Sequence, residues 1–180
     1  KPACFSKMAE DVPVFIKLYC EGSNFQKNQE QCTTLTKIQC DIQRLEAETL
    51  VKKADRGGAT SLRDYEEAGN KYIALWRKYG EEPLRAKQPM QCEKMDEVVY
   101  NAARAYQAAR LVAKAIKARS ILIDPANTMD KGDLARKAVY EIGGNYQANR
   151  YNDGTEVESF FYRVAEDAIW QATPKLSFDQ

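Results

Sequence analysis

The stretch from Val98 to Pro125 reads VVYNAARAYQAARLVAKAIKARSILIDP. Its apolar residues recur every three or four positions and never alternate for long, which is the period of an amphipathic helix and not of a strand. Glycine and proline are absent until Asp124-Pro125, where a helix must end because proline cannot continue it. The stretch therefore predicts helix, with an internal turn that the pattern does not locate.

The same helical period extends to both ends of the chain, so we predict an all-α protein. Turn-forming residues divide it at 22–24, 56–58, 80–89, 124–132 and 152–154. Capping-box-like starts at Ser61/Asp64 and Thr155/Glu158 predict two helix N-termini. The N-terminal blocks predict a hairpin whose facing apolar residues are Val12, Phe15, Ile16 and Tyr19 on one helix and Leu35, Ile38, Ile42 and Leu45 on the other.

Four of the five cysteines lie in the first quarter of the chain, at Cys4, Cys20, Cys32 and Cys40. Such a density favours an oxidising compartment. If 13–20 and 30–51 are antiparallel helices, Cys20 and Cys32 lie symmetrically about the turn, which makes them the best candidates for a disulfide. Cys92 is then a candidate for the odd thiol, and buried unpaired cysteines remain the alternative.

Composition argues against several classes of function. The 27 basic and 26 acidic residues nearly balance, so we expect no nucleic-acid partner, although 101–137 is locally basic and 138–180 locally acidic. No apolar run approaches the roughly 20 residues that cross a bilayer. The chain has no histidine, which removes the usual general base, the catalytic triads and the common zinc sites. We therefore predict a non-catalytic protein without metal or cofactor.

A small residue precedes a tyrosine by three positions at three places: Gly69/Tyr72, Ala103/Tyr106 and Gly143/Tyr146. The spacing between successive pairs is 34 and then 40 residues. A period near 34 is typical of stacked helix pairs, in which a small residue permits close helix approach and the tyrosine packs between helices. Ala113 is expected where two helices cross, and Pro125 where the second helix ends.

These small and aromatic positions, with the ending SILIDP at 120–125, resemble the tetratricopeptide repeat (TPR) family. More narrowly, Val98 to Pro125 and the segment LARKAVYEIGGNYQANRYNDGTEVESFFYRVA from Leu134 resemble envelope TPR proteins associated with myxobacterial gliding motility, over about residues 62–172. The resemblance implies tandem antiparallel hairpins in a short TPR-like superhelix. We expect a disulfide-stapled hairpin over 1–56, repeats over 59–173 and a tail over 174–180; a plain helical bundle is the alternative.

In that family the first helix of each pair lines a concave surface. Polar residues near the apolar stripe of those helices are the predicted partner-binding residues: Asn101, Arg104, Arg136, Asn145 and Asn149. The sequence thus predicts a protein-protein interaction scaffold of a bacterial envelope complex, located in the periplasm or at the outer membrane, and the narrower resemblance implies a role in motility. A self-associating structural module without a peptide groove is the alternative. Because the sequence opens at Lys1-Pro2, we expect a targeting segment to have been removed.

Overall fold

The computed structural model describes residues 2–150, except the side chains of 2–6, 23 and 147–150, and in this range the chain is helical without any strand. The elements are α1 (Pro2–Tyr19), α2 (Ser23–Lys27), α3 (Gln29–Asp55), α4 (Ser61–Trp76), a π-helical turn (Arg77–Glu81), α5 (Glu82–Arg85), α6 (Met95–Ala108), α7 (Val112–Ile123), a 3-10 turn (Pro125–Asn127) and α8 (Asp133–Arg150). The all-α prediction is confirmed for these residues. The helix predicted to begin at Thr155 and the tail over 174–180 lie outside them.

None of the helices in the described range is long and apolar enough to span a membrane.

Helices α3 and α4 form an antiparallel hairpin. Lys53 of α3 lies 3.0 Å from Asp64 of α4, and Glu46, one to two turns earlier, lies 3.0 Å from Lys71. The pairing runs in opposite directions along the two helices, as an antiparallel arrangement requires. Helix α4 does begin at Ser61, but its N-cap position is Thr60, whose hydroxyl donates to Asp64 Oδ2 at 2.8 Å in place of the predicted capping box.

The sequence predicted that the helix breaks over 80–89, but the helical backbone continues past residue 80. The helical backbone continues without a break from α4 through the π-helical turn into α5, which ends at Arg85. Gly80 lies against the buried ring of Trp76, and a Cβ at this position would overlap that ring. Glycine therefore serves here for close packing within the helix, whereas Pro83 is tolerated because it lies at the start of α5.

The turn that we predicted within the segment Val98 to Pro125 lies at 109–111, between α6 and α7. Arg110 has the left-handed backbone conformation (φ 62°), and the N–H of Leu111 donates to the carbonyl of Tyr106 at 2.9 Å. This is the hydrogen-bond pattern that commonly closes helix C-termini, usually with glycine in the left-handed position. No glycine marks this turn, so the residue pattern did not locate it.

The core lies where α4, α6 and α7 meet. Its most buried side chains include Leu75, Trp76, Val98, Val99 and Leu122. The Gly69/Tyr72 and Ala103/Tyr106 pairs belong to this core, because a Cβ on Gly69 would lie 2.7 Å from the ring of Tyr106. Helices α4 and α6 therefore approach closely at the glycine.

The N-terminal apolar residues are less buried than predicted. Val12 and Ile42 are buried, but Phe15, Tyr19 and Leu45 are 47%, 52% and 44% exposed. Helix α1 packs mainly against α3 and carries apolar residues around much of its circumference. One neighbour covers only one face of a helix, so the remaining apolar side chains of α1 face outward.

Two cysteine pairs are at disulfide distance. Cys20 and Cys32, the pair favoured by the sequence, have Cα atoms 5.4 Å apart. Cys40 pairs with Cys92 across 52 residues, with a Cα separation of 6.4 Å, so the interpretation of Cys92 as the odd thiol is wrong. The loop after α5 folds back onto α3, which residue spacing alone did not indicate. Two such pairs fit a protein outside the cytoplasm.

Candidate functional site

A cleft of about 590 Å³ opens between α6, α7 and α8, and we call it the α6–α8 cleft. Its polar lining residues are Arg104 and Gln107 of α6, Arg119 of α7, and Tyr140, Glu141 and Asn145 of α8. The hairpin turn at 109–111 brings α6 beside α7, and the segment 124–132 returns the chain so that α8 packs against both helices. Three consecutive helices thus supply the lining.

Arg119 is the most buried charged residue of the cleft, with 2% of its surface exposed. Its Nε donates to Glu141 Oε2 at 2.8 Å, and its Nη2 donates to Gln107 Oε1 at 2.5 Å. Its Nη1 is buried and has no hydrogen-bond partner among the described residues. A buried guanidinium is costly unless its charge and its donors are both satisfied, so Arg119 is satisfied only in part.

Glu141 connects the three helices. Its Oε1 accepts a hydrogen bond from the Tyr100 hydroxyl of α6 at 2.7 Å, while its Oε2 accepts from Arg119 of α7. The Lys137 ammonium lies 5.1 Å from the centre of the Tyr100 ring, and hydrogen bonding to Tyr100 raises the pKa of Lys137. Both oxygens of Glu141 are therefore engaged within the protein.

Asn145 brings a second unsatisfied donor to the cleft. It is 8% exposed, and its Nδ2 is buried without a hydrogen-bond partner among the described residues. Leaving a buried donor unpaired costs roughly 1–3 kcal/mol. Two residues that line the α6–α8 cleft thus have such donors, Arg119 at Nη1 and Asn145 at Nδ2.

The five predicted partner-binding residues separate in the structure. Arg104, which is exposed, and Asn145 line the α6–α8 cleft. Asn101 is half-buried on α6 outside the lining, and Arg136 is exposed and paired with Asp133 on its own helix. The side chain of Asn149 lies outside the described residues.

Arg119 was missed by the sequence reasoning, although a signal for it existed. It lies three residues after Ile116 and three before Leu122, both of which are buried. An arginine in the middle of the apolar stripe of a helix must be buried and needs partners. Gln107, Tyr140 and Glu141 carried no comparable signal, because each lies on a mixed polar face.

The predicted repeat-packing residues also have different environments. Gly69, Tyr72, Ala103 and Tyr106 are buried, and Gly69 of α4 lies against the Tyr106 ring of α6. Pro125 begins the 3-10 turn directly after α7, where a helix end was predicted. Ala113 is exposed, and the buried alanines of α7 are Ala115 and Ala118, because the turn at 109–111 sets which face of α7 points inward. No described atom lies within 4 Å of a Cβ built on Gly143, and Tyr146 is half-buried, which raises its pKa.

The α6–α8 cleft is lined by hydrogen-bond donors and by the cation of Arg104. Among the side chains that the structure describes, no group of acidic residues and cysteines could hold a metal ion. Comparison of the chain with models of known protein families, with curated proteins and with solved structures found no match.

Proposed function

We propose that this protein is a non-catalytic scaffold that holds a segment of a partner protein in the α6–α8 cleft. The proposal is supported by two residues that line an open polar cleft, Arg119 and Asn145, each of which keeps a buried donor atom, Nη1 and Nδ2, without a partner among the described residues. Donors held in fixed positions on packed helices favour recognition of a ligand's acceptor atoms. Arg104 and Tyr140, both exposed, add contact surface at its mouth.

A TPR-like array is the architecture we propose for the scaffold. The described long helices pack mainly on their neighbours along the chain, and Gly69, the small residue of the first pair, lies against Tyr106, the tyrosine of the second. The chain departs from the family between these residues, where the helical backbone continues from α4 to Arg85 in place of a helix-turn-helix. The proposed array is therefore TPR-like and not a standard repeat.

The bacterial envelope is the proposed location, in the periplasm or at the outer membrane. Two disulfide pairs support an oxidising compartment, and the resemblance to motility-associated envelope TPR proteins supports a place in such a complex. The scaffold would position a neighbouring subunit without acting on it.

Site-specific photo-crosslinking tests the scaffold proposal directly. A benzophenone amino acid at position 140 would stand at the cleft mouth, since Tyr140 is 84% exposed, and one at Lys117 would stand on an exposed site of α7 outside the lining. In cells that produce the protein naturally, we expect one discrete crosslinked partner from position 140 and none of that mass from position 117. Equal crosslinking from both positions, or none from position 140, would contradict the proposal.

A self-associating structural module is the second candidate, and a specific observation favours it. The outer face of α1 exposes Met8, Val14, Phe15, Leu18 and Tyr19, each at least 40% exposed. Apolar contact between copies persists or strengthens with salt, whereas contact between oppositely charged surfaces weakens. Light scattering across a salt series, with Phe15→Asp as the variant, would show a dimer lost on substitution if α1 mediates self-association.

A further inference from the structure

The α6–α8 cleft has an excess of positive charge and of hydrogen-bond donors. The charges of Arg119 and Glu141 offset each other at 2.8 Å, whereas Arg104 makes no ion pair with any described residue. Arg104 also acts electrostatically on the Lys137 ammonium, so two cations lie near the same part of α6 and α8. An anion entering the cleft is therefore attracted, and a cation is repelled.

The unpaired donors define the ligand atom more narrowly. Arg119 Nη1 and Asn145 Nδ2 can only donate, so both require an acceptor. A carboxylate presents two acceptor oxygens and bonds a guanidinium more strongly than a neutral carbonyl does. The carboxylate of Glu141 does not fill this role, because it accepts from Tyr100 and Arg119 Nε while Arg119 Nη1 keeps no partner among the described residues.

The burial of the two donors favours a side-chain carboxylate over the carboxylate of a chain terminus as the ligand. Each donor atom exposes less than 1 Å² to solvent, so a ligand oxygen can bond to it only if neighbouring side chains shift. A glutamate or aspartate side chain extends its carboxylate away from the backbone, whereas a terminal carboxylate would require the backbone itself to enter. Tyr140 and Arg104, which also line the cleft, are exposed and so can be reached by the ligand.

We propose that the α6–α8 cleft receives the carboxylate side chain of a glutamate or aspartate from the partner segment, with Arg119 Nη1 and Asn145 Nδ2 donating to it and Arg104 attracting it at the mouth. This inference rests on the proposed scaffold function and names the chemistry that the scaffold recognises.

The test uses three short peptides with the full chain: acetyl-Ala-Glu-Ala-amide, the same peptide with Gln, and acetyl-Ala-Ala-Ala with a free carboxylate. Nuclear magnetic resonance reports the side-chain signals of Asn145 and of Arg119 Nε. We expect the Glu peptide to shift both signals and to bind about tenfold or more tightly than either other peptide, because it alone reaches the buried donors with a charged acceptor. Equal binding of the Glu and Gln peptides, preference for the free carboxylate, or no shift at all would overturn the inference.

Matched variants assign the effect to the cleft. Asn145→Asp replaces the amide donor by a carboxylate of the same shape, which repels the carboxylate of the peptide and should abolish the preference for Glu. Arg104→Gln, at an exposed position, should reduce that preference severalfold. Lys117→Gln removes a cation from α7 outside the cleft and should leave the preference unchanged. Crosslinking at position 140 together with no preference for Glu would overturn this inference and leave the scaffold standing; loss of both would remove both.

Discussion

At the scale of single residues, the described chain contains ionisable groups whose pKa is shifted by one or two neighbouring side chains. Asp64 is 3% exposed and accepts hydrogen bonds from Lys53 Nζ at 3.0 Å and Thr60 Oγ1 at 2.8 Å. The hydrogen bond from Lys53, and then that from Thr60, lower the pKa of Asp64 below its ordinary value. The same logic applies at the exposed pair of Lys37 and Glu93, where the pKa of Glu93 is lowered.

Asp64 makes the free energy of unfolding depend on pH in the acidic range. Its pKa is lower in the folded than in the unfolded chain, so its contribution is fully present above the unfolded value, about 3.9, and is lost as pH falls below it. We expect Asp64→Asn to be less stable at neutral pH and to lose less stability than the wild type between about pH 5 and pH 2. Urea unfolding at each pH measures this, with Thr60→Ala expected between the two; parallel curves would contradict it.

The backbone conformation of Arg110 indicates that glycine at this position would stabilise the protein. Its left-handed conformation (φ 62°) costs an L-residue roughly 1 kcal/mol that glycine does not incur. Arg110→Gly should therefore raise the free energy of unfolding by up to about 1 kcal/mol. Lys117→Gly, a matched change inside α7, should lower it by about 1 kcal/mol. Denaturant midpoints compare the two, and a loss of stability in Arg110→Gly would show that its side chain matters more than its backbone.

At the scale of elements, the contact between α4 and α6 depends on the absence of a side chain at Gly69. Gly69→Ala places a methyl group 2.7 Å from the Tyr106 ring, which is buried and hydrogen-bonded to Asn70 at 2.9 Å. Forcing the ring away should cost roughly 1–3 kcal/mol. Gly143→Ala in α8 meets no described atom within 4 Å and should stabilise by about 0.5–1 kcal/mol. Thermal unfolding of both variants tests this, and similar effects at the two glycines would contradict it.

Helical periodicity was sufficient to predict most helices, because it depends only on local spacing. It placed the start of α4 at Ser61 and the end of α7 before Pro125. It failed where tertiary contact decides: Gly80 looked like a turn but packs on Trp76, and Arg110 forms a turn that no glycine announces. The cleft was half predictable for the same reason, since Arg104 and Asn145 lie beside an apolar stripe whereas the partners of Arg119 come from other helices.

At the scale of the whole molecule, two covalent links restrict the described chain to different extents. The Cys20–Cys32 link closes a segment of 12 residues, and the Cys40–Cys92 link closes one of 52 residues that contains α4 and α5. The longer link also ties α3 to the loop beside the core, where Lys37 and Glu93 form an ion pair at 2.8 Å.

Removing the links should therefore destabilise the protein unequally. In the chain-entropy account, the Cys40→Ala/Cys92→Ala variant should lose about 4 kcal/mol and the Cys20→Ala/Cys32→Ala variant about 3 kcal/mol. Chemical unfolding of both double variants, measured under oxidising conditions, tests the order. Under a reductant the wild type should unfold at lower denaturant than it does when oxidised. A larger loss from the shorter link would contradict the prediction.

The Cys40–Cys92 link also decides how the molecule bears a mechanical load. If the chain ends are pulled apart, the tension passes from Cys40 to Cys92 through the sulfurs, and the residues from 41 to 91 carry none of it. Roughly 180 Å of contour length, at about 3.5 Å per residue, therefore stays stored until the bond is reduced. Helices α4 and α5, which supply part of the core, are in this way shielded from the force, as is the shorter segment that the Cys20–Cys32 link closes.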